Sequence, residues 1–210
     1  MRPPRAWIAV VGPGSVTSAG PGTAAAAAAP AGAASPGAAS PGAASPPGAA
    51  SSAAAPPGAA SPAALAAAEE VGAAVAAAGC GLVCGGLGGV MEAACRGARS
   101  RGGLTLGLLP GLDREDANGW VLVAVATGLG EARNALVVRA ADAVIAVGGG
   151  WGTLSEIALA LKTGVPVVGL ATWEPAIGGT PAEGIVRADG PREAVDAALS
   201  QIFHTSARDL

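Results

Sequence analysis

Ala143-Val144-Ile145-Ala146-Val147-Gly148-Gly149-Gly150-Trp151-Gly152-Thr153-Leu154-Ser155-Glu156 is the stretch on which the fold turns. Its first five residues are all apolar, which reads as a short strand over 143–147 buried on both faces. Four glycines then interrupt the pattern, and a helix is predicted from about Thr153 to Thr163, with a second apolar strand over 165–170 directly after it. Strand, loop, helix and strand in this order make one parallel crossover unit.

The same alternation continues outward on both sides. A strand is predicted over 7–11, and Ser61-Pro62 then supply an N-cap and a first-turn proline for a helix to about Ala78, which Gly79 can end. Strands over 82–84, 104–109 and 121–126 alternate with a helix over 89–101, and a helix over 130–140 leads into the opening stretch. A strand over 185–187 and a helix over 191–202 close the chain. The fold class is therefore α/β: a Rossmann-like, doubly wound parallel sheet in three layers. Such sheets bind ligands beyond the carboxyl ends of their strands, where the strand order reverses.

One segment stands apart. From 18 to 62 every residue except Thr23 is Ala, Gly, Pro or Ser, and Pro-Gly-Ala-Ala-Ser recurs at 36–40, 41–45, 47–51 and 57–61. A five-residue period is too short for a solenoid unit, and no large apolar side chain offsets the entropy of ordering it. The block is read as a disordered insertion after the first strand, within a single Rossmann-like domain spanning 1–210. What remains lies within the ~100–200 residues expected of one domain.

Twelve Lys and Arg against fifteen Asp and Glu give a formal charge of −3, which argues against a nucleic-acid footprint. Cys80, Cys84 and Cys95 have no C-x-x-C spacing and His204 is the only histidine, so neither a zinc site nor a His-based triad is expected. The thiols read as small buried side chains in a reducing cytoplasm. The apolar run after Met1-Arg2-Pro3-Pro4-Arg5 is broken by Gly12-Pro13-Gly14, short of the ~7–15 residues of a signal-peptide core, so export is not expected. No run approaches the ~18 apolar residues that span a bilayer, and no membrane association is expected.

Three loops after predicted strands are rich in glycine: Gly12-Pro13-Gly14-Ser15, Gly85-Gly86-Leu87-Gly88-Gly89, and Gly148-Gly149-Gly150-Trp151-Gly152-Thr153. Bare backbone can approach a ligand closely, and amides at a following helix start attract anions, so a phosphate is the natural guest. Each loop taken alone could equally be a tight structural turn. None fits the Walker pattern or the dinucleotide fingerprint, which removes support for an ATPase or a nicotinamide-dependent oxidoreductase. Glu156 follows Thr153 by three residues and reads either as a capping-box acid or as a residue facing the ligand. Arg133, early in its helix, opposes the helix dipole and reads either as a phosphate or carboxylate partner or as a solvated surface residue.

Residues 148–156 resemble the Pro-Gly-Gly-x-Gly-Thr-x-x-Glu motif of the Lonely Guy (LOG), or lysine decarboxylase-like, superfamily. Arg133 stands where that family has the Arg of its second motif, and 85–92 resemble its Gly-Gly-x-x-Gly-x-Met segment. LOG enzymes are phosphoribohydrolases, so the resemblance implies Arg133 and Glu156 as catalytic residues that free a base and ribose 5-phosphate from a nucleoside 5′-monophosphate. Gly148 replaces the motif's Pro, and Arg133-Asn134 replaces its Arg-Lys. Together with Thr127-Gly128, these departures look closer to a Rossmann-fold nucleotide-binding branch that includes molybdenum cofactor carrier proteins. That branch implies a binder or carrier of a nucleoside monophosphate or pterin cofactor, and this reading is placed ahead of hydrolysis. The ligand-binding residues implied are Gly12, Gly14, Ser15, Gly85, Gly86, Gly88, Gly89, Thr127, Asn134, Gly148, Gly149, Gly150, Gly152 and Thr153. A homodimer or higher homo-oligomer is expected from the resemblance.

Overall fold

Strands that are apolar at every position require cover on both faces, and the sheet is built to supply it. The computed structural model describes residues 3–14 and 60–206; Ser15 and the part of the repeat block over 18–59 lie outside the described residues, while its last two residues, Ser61 and Pro62, are the N-cap and first residue of the helix that follows. Seven strands form one sheet: β1 (Trp7–Val11), β2 (Gly81–Cys84), β3 (Thr105–Leu109), β4 (Val123–Ala126), β5 (Ala143–Val147), β6 (Val167–Leu170) and β9 (Ile185–Arg187). Their order is β4-β3-β2-β1-β5-β6-β9, and every neighbouring pair is parallel.

Side chains alternate across the sheet with the two-residue period of a strand. Ile8 and Val10 of β1, Leu82 and Cys84 of β2, and Ala143, Ile145 and Val147 of β5 enter one core with α1 (Pro62–Ala77), α2 (Val90–Ser100) and α5 (Pro191–Ser206). Ala9, Val11, Val83, Val144 and Ala146 enter the other, under α3 (Asn134–Arg139) and α4 (Trp151–Thr163). Cys80, Cys84 and Cys95 are free and buried. No helix among the described residues is long and apolar enough to cross a membrane.

The chain runs outward from β1 to β4 and then returns to β1's other side with β5. The reversal therefore falls between β1 and β5, and the three glycine-rich loops follow β2, β1 and β5, three neighbouring strands at the middle of the sheet. The helix ends follow the sequence closely: Ser61 Oγ accepts a hydrogen bond from the Ala64 amide at 3.1 Å, and Gly79 has φ +73° just beyond α1.

Four details differ from expectation. α4 begins at Trp151 and not at Thr153, so Glu156 stands in its second turn and is not a capping-box acid; the N-cap is Gly150, which has no side chain to cap with. The helix predicted over 130–140 is a 3-10 turn, Gly130–Arg133, running into α3, and Arg133 sits at the junction. β4 and β6 each start two residues later than predicted. A two-stranded antiparallel ribbon, β7 (Ala176–Ile177) with β8 (Thr180–Pro181), has no counterpart in the sequence reading; strands of two residues carry no periodicity.

Candidate functional site

The loop between β5 and α4 is held from behind. Gly148 turns at φ +67°, its carbonyl accepts the Thr172 hydroxyl, and the Gly150 carbonyl accepts Trp173 Nε1–H at 2.9 Å. Gly150 is extended, and no side chain caps the amides that open α4. No acidic residue occupies the first turn of this 13-residue helix, whose N-terminal end carries partial positive charge. Thr153, in that turn, is buried, and its hydroxyl has no hydrogen-bond partner among the described residues. A Cβ added at Gly152 would meet nothing within 4 Å among the described residues.

The other two loops owe more of their glycine to the fold. A Cβ at Gly12 would collide with Val90 Cγ1 and lie 2.5 Å from the Val147 carbonyl oxygen, so β1 can end here only with bare backbone. The Pro13 carbonyl accepts the Val90 amide at 3.1 Å, so the chain itself occupies the start of α2. Gly14 has room for a side chain, with Met91 Cε the nearest atom at 3.6 Å. Gly86 and Gly89 turn at φ +77° and +68°. Asn118 fastens this second loop, its amide nitrogen donating to the carbonyls of Gly86 and Leu87 at 3.1 and 2.9 Å. Gly88 is half-buried.

Gly85 leads to the charged centre. A Cβ there would overlap the Arg133 guanidinium, which therefore lies directly against the end of β2. Arg133 Nη1 is 3.8 Å from Glu156 Oε1, and both side chains are over nine-tenths buried. That separation is an ion pair without a direct hydrogen bond. Arg133 Nε has no partner among the described residues. Burial pushes the Glu156 carboxyl up to about 7, the nearby Arg133 opposes the rise, and Glu131 adds to it. When Glu156 is protonated, Arg133 is a buried cation with no other ion-pair partner among the described residues, and an anion is the group that would satisfy it.

Arg133, Glu156 and Gly85 thus come together, and beside them Asn134 Nδ2 donates to Ser155 Oγ at 3.4 Å. The Thr127 hydroxyl is already committed to structure: it donates to the Leu109 carbonyl at 2.7 Å and accepts the Leu129 amide at 3.3 Å. Asn118, Thr172 and Trp173, which shape the loops, were not singled out from the sequence. Each acts by bonding a backbone carbonyl far along the chain, and no local spacing encodes that.

Known proteins resemble the chain over this whole architecture. An uncharacterized protein of Archaeoglobus fulgidus is 44% identical over 131 residues, covering 62% of this chain and 82% of that one. The molybdenum cofactor binding protein of the phototrophic bacterium Rippkaea orientalis is similar in structure, with 30% identity, a TM-score of 0.67, and coverage of 96% of this chain and 99% of that one. The molybdenum cofactor carrier protein of Chlamydomonas reinhardtii is similar at 29% identity and TM-score 0.65, over 97% and 99% of the two chains. Residues 50–195, well over half of the sequence, match the family model, and the chain belongs to the SLOG cluster4 family.

Proposed function

We propose that this protein binds a phosphorylated nucleotide-like small molecule, a nucleoside monophosphate or a pterin cofactor, and acts as its binder or carrier. The observation that carries the reading is a pair of buried polar atoms without partners among the described residues, Arg133 Nε and the Thr153 hydroxyl, the latter in the first turn of a helix that no side chain caps. Buried polar groups in folded proteins are nearly always paired, so these two orphans, one of them in the first turn of a helix whose amides no side chain caps, favour an anionic ligand. The phosphate contacts fall to Gly149, Gly150, Gly152 and Thr153, with Arg133 and Asn134 on the flank. The carrier reading draws further support from what the Rippkaea and Chlamydomonas proteins are named for, binding and carrying the molybdenum cofactor. Such a cargo fits the residues present at its phosphate end.

A second reading is LOG-type phosphoribohydrolysis. It is favoured by Glu156, a carboxyl raised to about 7 opposite a buried arginine and so poised to exchange a proton near neutral pH. In that reading Glu156 activates water or stabilises an oxocarbenium-like state, and Arg133 holds negative charge.

A homo-oligomer in the cytoplasm completes the proposal. Leu122, Val123 and Val125 are exposed at the edge strand β4, as a contact between copies would leave them in one protomer. Isothermal titration of the purified full chain with GMP, AMP and a phosphorylated pterin, with chromatography for free base, tests both readings. Saturable binding without base release is expected. Binding of none of the three overturns the proposal, and robust base release replaces the carrier with the hydrolase.

A further inference from the structure

The first residue of α4 is a tryptophan in open solvent. Trp151 is 66% exposed, and it stands between Gly150 and Gly152, in the loop assigned above to the phosphate. The chain has only four tryptophans and one phenylalanine, and two of those tryptophans meet here. Trp173 lies beside Trp151, ring centroids 5.2 Å apart and planes tilted by 36°. Trp173 is itself fixed, its Nε1–H bonded to the Gly150 carbonyl and its ring within 3.2 Å of where a Gly149 Cβ would be.

These contacts support Trp151 from one side only. Leaving most of an indole in water forgoes one of the larger burial gains a side chain can make. Nothing in the described fold uses the exposed surface. At the same loop Gly152 leaves open space that an alanine would begin to fill.

Resting on the phosphate reading above, we propose that Trp151 is a stacking platform for the planar conjugated ring of the ligand, and so the residue that selects a phosphorylated heterocycle over a bare sugar phosphate. The class of ligand is then a purine or pterin phosphate. Trp173 is a positioning residue that presents Trp151 already oriented, which reduces the ordering cost of binding.

The test is titration of the full-length wild type, Trp151→Ala and Trp151→Phe with GMP, a phosphorylated pterin and ribose 5-phosphate, the last carrying phosphate without a ring. Trp151→Ala should weaken binding of GMP or the pterin by about tenfold or more, the scale of a single base–aromatic stack, and Trp151→Phe should recover most of it. Ribose 5-phosphate affinity should stay within about twofold of wild type in both variants. Ring ligands should also quench a fraction of the wild-type tryptophan fluorescence that Trp151→Phe no longer shows. Equal losses for all three ligands would make Trp151 part of the loop scaffold and overturn the platform. So would unchanged ring affinity accompanied by a changed oligomeric state on size exclusion. Wild type that binds ribose 5-phosphate as tightly as the ring ligands removes the platform and leaves the phosphate site standing. Wild type that binds none of the probes removes both.

Discussion

Glu156 and Gly152 sit in adjacent turns of one helix and are opposites in what the fold asks of them. The Glu156 carboxyl is raised from an ordinary 4.5 to about 7 by burial, so between those values the folded state holds a proton that the unfolded chain releases. Stability from this group is complete below about pH 4.5 and falls as pH rises through 7, by on the order of 3 kcal/mol. Glu156→Gln should therefore be more stable than wild type at pH 8, with the two converging near pH 5, as denaturant midpoints across that range would report. If the protein is a hydrolase, the same variant loses turnover by orders of magnitude while ligand affinity largely persists. Gly152 is in helical backbone with empty space where a Cβ would go, so the apo fold has no use for glycine there. Gly152→Ala should raise thermal stability, by up to about 1 kcal/mol for removing a helical glycine, yet weaken ligand binding by narrowing the approach to the amides. A Gly152→Ala protein with undiminished affinity for GMP or a phosphorylated pterin would move the phosphate elsewhere.

At the scale of elements, the close meeting of α1 and α2 is the most demanding contact. A Cβ at Gly72 would overlap the Ala94 carbonyl oxygen, and one at Gly97 would overlap that of Glu69, while Arg96 and Glu69 pair at 2.7 Å across the same seam. Gly72→Ala must push backbone apart and should cost at least ~1–3 kcal/mol, the range for overpacking a core, with a lowered urea midpoint as the readout. The seam was not legible in the sequence, because a glycine inside an Ala-rich helix gives no sign of which helix it meets. The strands were legible, since cover on both faces makes each an unbroken apolar run, and β1 and β5 match the predicted bounds. The start of α4 was not, because Gly152 read as loop; that two-residue error is what made Glu156 resemble a capping-box acid. At the candidate site, Arg133 and Glu156 were pointed to by the family resemblance and not by the residues alone, and their meeting in the interior depends on a glycine just after β2, Gly85, leaving room for the guanidinium, a tertiary fact.

At the scale of the whole molecule, the repeat block occupies the connection between β1 and α1. Both ends of the connection it occupies are anchored by described contacts: Pro13 bonds Val90 on one side, and Ser61 caps α1 on the other. The sheet order needs β1 and α1 joined but does not need a long join. Taken on its composition as a linker, the block raises the closure cost by only about 0.6 kcal/mol per doubling of length. Replacing residues 20–59 with about ten Gly and Ser residues should then preserve the fold and raise thermal stability by roughly 1 kcal/mol, from two halvings of the loop. Ligand affinity should change by less than about tenfold, or roughly 1.4 kcal/mol. The connection follows β1, whose loop borders the central switch point, so an effect on the ligand is the sensitive readout. A shortened protein that folds but no longer binds would assign the block contacts with the ligand, which its Ala-Gly-Pro-Ser composition could make only through backbone groups, hydroxyls and small apolar surfaces.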